Sequence, residues 1–90
     1  MSQTIWKFPI ENSGVQIIEM PTGAQIINVG IQNEILCMWA VVNPETETES
    51  RHFEIYGTGH PMRAEIRKEF IGTYYLKGGA YVFHIFEIIN

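Results

Sequence analysis

Apolar residues recur at every second position along most of the chain, which is the period of a half-buried β-strand. In Thr4–Ile10, Trp6, Phe8 and Ile10 share one face and Lys7 lies on the other. Pro9 lacks an amide donor, so this strand is expected at a sheet edge or at its own end. Val15–Met20 reads as a second strand, preceded by an Asn12-Ser13-Gly14 turn and closed by Pro21-Thr22-Gly23. Gln25–Gln32 gives a third, with Ile27, Val29 and Ile31 assigned to one face. Asn33-Glu34 is short enough for a hairpin, although no glycine marks the turn type. Ile35–Val42 is apolar throughout and reads as a central strand covered on both faces.

Beyond the polar loop Asn43–Ser50, Arg51–Tyr56 alternates again, with Phe53 and Ile55 inward. Met62–Glu69 mixes charge and apolar residues without strict alternation and tolerates one short helical turn. Ile71–Leu76, Lys77-Gly78-Gly79 and Ala80–Ile88 form the clearest hairpin of the chain. The pattern predicts a single all-β domain over residues 1–90. About seven antiparallel strands close as a small barrel or sandwich, with at most one short helical turn.

Composition narrows the function. Ten Glu against six Lys and Arg leave a net charge of −4, the wrong sign for a duplex nucleic-acid binder. The longest apolar run is too short to span a bilayer, and no charged start followed by an apolar stretch suggests a leader, so no membrane role is expected. The lone Cys37 excludes an internal disulfide, fits a reducing compartment and reads as a buried, inert thiol. His52, His60 and His84 are not spaced as metal ligands, and alternation gives His84 a core or interface position. Nothing in the sequence supports Thr58 or Ser13 as a nucleophile. No acid–base constellation is legible, so a non-enzyme without cofactor is expected.

The most informative local feature is Gly57-Thr58-Gly59-His60-Pro61. Two glycines let the backbone turn sharply and bare its amides. A phosphate could then be held by N–H groups and Thr58, with His60 and Arg63 adding positive charge and Tyr56 an aromatic ring. The plainer reading is a tight turn whose exit Pro61 fixes. Lys77 becomes a second anion contact if its hairpin tip lies near His60; otherwise Lys77-Gly78-Gly79 is only a turn. Tyr75 and Tyr81 offer a stacking surface for a base or for another subunit, and a homo-oligomer is expected.

Four stretches carry a resemblance. They are Thr4–Pro9, Leu36–Val42, Phe53–Pro61, and Phe70–Thr73 running on through Gly78–Glu87. Together they resemble a family of small uncharacterised bacteriophage proteins over nearly the whole chain. The resemblance implies a phage product made in the cytoplasm of a bacterial host. By analogy with small phage accessory proteins, it suggests sequestration, without hydrolysis, of a small anionic nucleotide-like immune signal of cyclic-nucleotide or cyclic ADP-ribose type. The expected ligand contacts are Tyr56, Gly57, Thr58, Gly59, His60, Arg63 and Lys77. The alternative is a protein-interaction role, as an inhibitor of a host defence protein or a minor virion structural or assembly protein. In that case the Glu45, Glu47 and Glu49 loop would face a basic partner.

Overall fold

The computed structural model describes residues 2–12 and 14–89, so Ser13 and the centre of the expected Asn12–Gly14 turn lie outside the described residues. Seven strands follow in order: β1 (Thr4–Pro9), β2 (Gly14–Pro21), β3 (Gln25–Gln32), β4 (Ile35–Val42), β5 (Thr48–Gly57), β6 (Lys68–Leu76) and β7 (Tyr81–Ile88). They form two antiparallel sheets, one ordered β1-β4-β3 and the other β2-β5-β7-β6. The two sheets enclose Met20, Leu36, Met38, Ala40, Val42, Phe53, Tyr74 and Ile85 between them. The fold is therefore a β-sandwich.

Period-two alternation places the core. On β4, Leu36, Met38, Ala40 and Val42 point inward and are buried, and Trp6 and Phe8 stand beside Ala40 and Met38 on the same face. Cys37 points the other way and is still buried. Its neighbours across that outer face include Lys7 and Gln32, whose side chains hydrogen-bond over the strand at 2.9 Å. Pro9 ends β1, which is an edge strand, as a residue without an amide donor requires.

Local pattern fails at two bulges. The β3–β4 register shifts between Ile26 and Asn28, so Ile26, Val29 and Ile31 face inward while Ile27 is exposed. An extra residue reverses the alternation on one side of it, so a face assigned by counting in twos from Val29 back to Ile27 is wrong. A second bulge between Phe70 and Gly72 displaces Ile71. The expected helical turn is also misplaced. Met62–Glu69 contains no helix, and the only short helical turn among the described residues is Lys77–Gly79, in the β6–β7 connection.

The two sheets meet along one side, and one arginine of the four-stranded sheet bonds the chain that crosses between them. β3 lies against β6, where Gly72 lets the strands approach: a Cβ there would meet Val29 at 3.0 Å. Inside the sandwich Arg51 on β5 makes a bidentate pair with Glu87 on β7, at 2.7 and 2.8 Å. Arg51 also donates to the Ala24 carbonyl, where the chain passes from β2 into the other sheet. Among the described residues, the opposite side, edged by β1 and β2, carries no comparable strand-to-strand contact.

β5 and β6 both run antiparallel to β7 and flank it, so the chain must return the full length of the sheet between them. Residues 58–67 make that return as an extended strap. Thr58 N–H donates to the Val82 carbonyl at one end, and Ile89 N–H to the Arg67 carbonyl at the other.

Two measurements check this description. Asn33 and Glu34 both have positive φ, 51° and 65°, the two-residue type I′ geometry that favours glycine at its second position. Glu34→Gly is expected to stabilise the fold by about 1 kcal/mol in chemical denaturation. Tyr74 is 3% exposed, stacks on Phe83 at 5.5 Å, and its hydroxyl has no hydrogen-bond partner among the described residues; burial pushes its pKa up to about 12. A raised phenol pKa favours the neutral folded form. Its contribution is complete below pH 10 and lost as pH rises from 10 towards 12. Tyr74→Phe is expected to be as stable as the parent or more so at neutral pH, and to lose less stability between pH 9 and 11.

Candidate functional site

One end of the sandwich gathers the β3–β4 turn, the β6–β7 turn and the start of the strap. The strap begins as a type II turn. His60 N–H donates to the Gly57 carbonyl at 3.0 Å, and Gly59 supplies the required positive φ of 87°. Gly57 is needed for a different reason: a Cβ on it would lie 2.7 Å from the His60 ring. The imidazole therefore rests on bare backbone at the end of β5.

Beside it, β7 begins two residues beyond the level of Gly57, so Tyr81 projects past the end of β5 and is 53% exposed. Between the turn and this overhang lies a cleft of about 300 Å³. Gly57, Thr58, His60, Ala80, Tyr81, Val82 and Phe83 line it. Two features the sequence treats separately, the glycine turn and the second tyrosine, thus form a single concavity.

Its wall is held by a histidine that does not line it. His84 Nε2 lies 2.8 Å from Thr58 Oγ1, and Nδ1 lies 2.9 Å from Thr73 Oγ1. Thr58 Oγ1 also donates to the Val82 carbonyl at 3.3 Å. The set is consistent when Nε2 carries the proton and donates to Thr58, and Thr73 donates to Nδ1. His84 therefore fixes the turn to β6 and β7 from the outer face of the sheet, partly buried, and not from the core, which its neighbour Ile85 enters.

The other expected anion contacts are elsewhere. Arg63 lies on the outer face of the four-stranded sheet, where its guanidinium donates to Glu54 Oε2. Tyr56 donates to the other oxygen of the same carboxylate, and Glu54 is only 4% exposed. Arg63 is occupied by this buried charge, and hydrogen bonding to Glu54 raises its pKa. Burial first, then the bond to Glu54, raise that of Tyr56. Tyr56 also packs edge-on to Phe86 at 5.9 Å, and Phe86 to Phe70 at 5.5 Å. Lys77 sits at the tip of the β6–β7 turn with φ 52° and does not line the cleft.

The arrangement corrects the phosphate-cradle expectation. The amides of Thr58 and His60 are engaged with Val82 and Gly57, the Thr58 hydroxyl with His84 and Val82, and Arg63 with Glu54. Tyr56 and Arg63 share the outer face, whereas Gly57, Thr58 and His60 share the cleft with Tyr81. What remains for a ligand is one imidazole, one exposed phenol and an apolar floor. A second concavity, also about 300 Å³, is lined by Ile10, Ile31, Leu36 and Leu76, but Glu11 and Glu34 stand at it, which disfavours an anion. Among the described residues no group of three His, Cys, Asp or Glu side chains is placed to hold a metal ion. Alternation could have put Glu54 on the outer face. Its partner Arg63, nine positions on, could not be read from spacing because the strap between them has no period.

A family model matches residues 1–90, and the chain belongs to that family, a domain of unknown function designated DUF7352. No curated protein and no solved structure matches it.

Since Arg63 pins the strap, Arg63→Ala is expected to speed limited proteolysis within residues 58–67, and Arg63→Lys to do so less. Equal cleavage of all three proteins would show that the ion pair does not hold the strap.

Proposed function

We propose that this member of the DUF7352 family is a non-catalytic binding module that takes a small heteroaromatic, nucleotide-like ligand in the Gly57–His60/Tyr81 cleft. One observation carries the reading: a largely apolar concavity with convergent polar groups, the default place to look for a ligand, is lined by both His60 and Tyr81, 21 positions apart in sequence. An exposed phenol ring suits stacking on a base, and the imidazole suits a hydrogen bond or a single negative charge.

Size and charge narrow the class. About 300 Å³ is the low end for ligand sites and suits a nucleoside or mononucleotide. A ligand with several phosphates would need cations that the cleft lacks. The biological setting we attach is that of a phage accessory protein in a bacterial cytoplasm, holding a nucleotide-derived signal without hydrolysing it. The second reading is a protein partner, favoured by the apolar residues left exposed on both edges of the four-stranded sheet, Val15 and Ile17 on β2 and Phe70 and Tyr75 on β6.

Thermal unfolding against adenosine, guanosine, mononucleotides, cyclic mononucleotides, cyclic dinucleotides and cyclic ADP-ribose tests it. A ligand at 100 times its dissociation constant stabilises by about 2.7 kcal/mol, a shift of several degrees in a domain this small. The expected result is a shift with a nucleoside-sized compound that His60→Ala and Tyr81→Ala each remove and Lys77→Ala leaves intact. If no compound shifts the transition, the ligand reading fails and a protein partner takes its place.

A further inference from the structure

We propose that the cleft selects adenine, and that the main chain of β7 reads the base by its 6-amino group and an adjacent ring nitrogen. The inference rests on the ligand reading of the cleft and names the base that it takes.

The side chains of the cleft offer little polarity, and the main chain adds two groups. In an antiparallel ladder the N–H and C=O of one residue point to the same neighbouring strand. Val82 points towards β5, since its carbonyl accepts from the Thr58 N–H at 3.0 Å. Its own N–H points the same way. A longer β5 would meet it with the Thr58 carbonyl, but β5 ends at Gly57 and the chain turns away through Thr58 and Gly59. Among the described residues, no main-chain bond from the Val82 N–H is made on this side.

The peptide before it adds an acceptor. Tyr81 pairs with Leu76 on β6, the other neighbour of β7, so its N–H faces β6. Across the trans peptide the Ala80 carbonyl faces the opposite way, towards the cleft. The Ala80 N–H is engaged with the Lys77 carbonyl at 3.2 Å, whereas among the described residues nothing donates to the Ala80 carbonyl. An acceptor and a donor two residues apart thus stand where β5 would have continued, and both residues line the cleft. A peptide strand laid there would run into Thr58 after one residue pair. A small planar group meets no such obstacle.

Adenine matches the pair. Its amino group donates to the Ala80 carbonyl, the neighbouring N1 or N7 accepts from the Val82 N–H, and either edge then ends in a C–H. Guanine, cytosine and uracil each set three polar groups along the pairing edge, and the N7 edge of guanine offers acceptors only. With two main-chain groups available, one polar group of those bases would be left unpaired against Val82 and Phe83, which is costly. A base held this way lies in the plane of the sheet. Gly57, Phe83 and Tyr81 share one face by register, and the His60 ring lies over Gly57, so one face of the base meets Tyr81 and His60.

Isothermal titration of the full chain with nucleosides tests the assignment. Adenosine is expected to bind about tenfold more tightly than guanosine, cytidine or uridine. N6,N6-Dimethyladenosine, which has no amino hydrogen to donate, should lose at least that factor. So should one of 1-deazaadenosine and 7-deazaadenosine, the one whose missing nitrogen faces Val82. Val82→Pro removes the N–H without removing a bond of the fold. It should keep the sheet by circular dichroism and lose the preference for adenosine over guanosine. Guanosine bound as tightly as adenosine, full affinity for dimethyladenosine or for both deaza analogues, or a folded Val82→Pro protein that keeps the preference overturns the choice of adenine and leaves the cleft a ligand site. Binding of no nucleoside overturns both.

Discussion

The Arg51 guanidinium, paired with Glu87 inside the four-stranded sheet and bonded to the Ala24 carbonyl, is the group that ties this sheet to the chain crossing into the other one. Sheets of alternating residues can slide over one another while keeping their apolar faces in contact, because the hydrophobic effect has no direction. A bidentate guanidinium–carboxylate pair does have direction. It fixes β5 against β7, and the third bond of Arg51 reaches the Ala24 carbonyl at the crossing into the other sheet. Both partners are largely buried, so removing either one strands a charge inside, a loss of about 3–5 kcal/mol. The apolar core supplies the bulk of the driving force, and the bond from Arg51 to the Ala24 carbonyl adds direction where the chain crosses between the sheets.

A second constraint is topological. The order β2-β5-β7-β6 obliges ten residues to travel back across the sheet. A connection of that kind has few apolar residues of its own, and pinning at discrete points replaces continuous packing. Here the points are Thr58 to Val82, Arg63 to Glu54, and Arg67 to Ile89. This explains why a buried glutamate is tolerated on an outer face: the strap supplies its counter-charge and Tyr56 a further donor. It also explains why Arg63 cannot serve a ligand, and why the glycine turn, which launches the strap, has a structural purpose apart from any binding.

The cleft and the unpaired side of the sandwich make different structural demands. The cleft depends on the overhang of β7 past β5 and on His84 holding Thr58 and Thr73. The edge depends on the sandwich being closed along one side only.

Period-two alternation, Pro9 and the turn residues determined much by themselves: seven strands, antiparallel order, an edge position for β1, the central position of β4, the inward face of β5, and a hairpin at the end of the chain; that β4 buries Leu36, Met38, Ala40 and Val42 on one face while Ile35 stays exposed on the other came only with the sheet packing. These are local properties, set by side-chain alternation and backbone sterics within a few residues. The bulges at Ile27 and Ile71 escaped because a bulge is a property of a pair of strands, invisible in either one alone. The helical turn was misplaced for a related reason. Met62–Glu69 has helix-tolerant residues, but the distance from the end of β5 to the start of β6 requires an extended strap. Within the site, the sequence nominated Gly57, Thr58 and His60 and named Tyr81 apart from them as a stacking surface, and tertiary structure put all four around one cleft, with Tyr56 on the outer face instead. It also removed Arg63 to the outer face and left Lys77 at a hairpin tip, because a charge goes to the partner that folding brings within reach, and Glu54 was the partner Arg63 found.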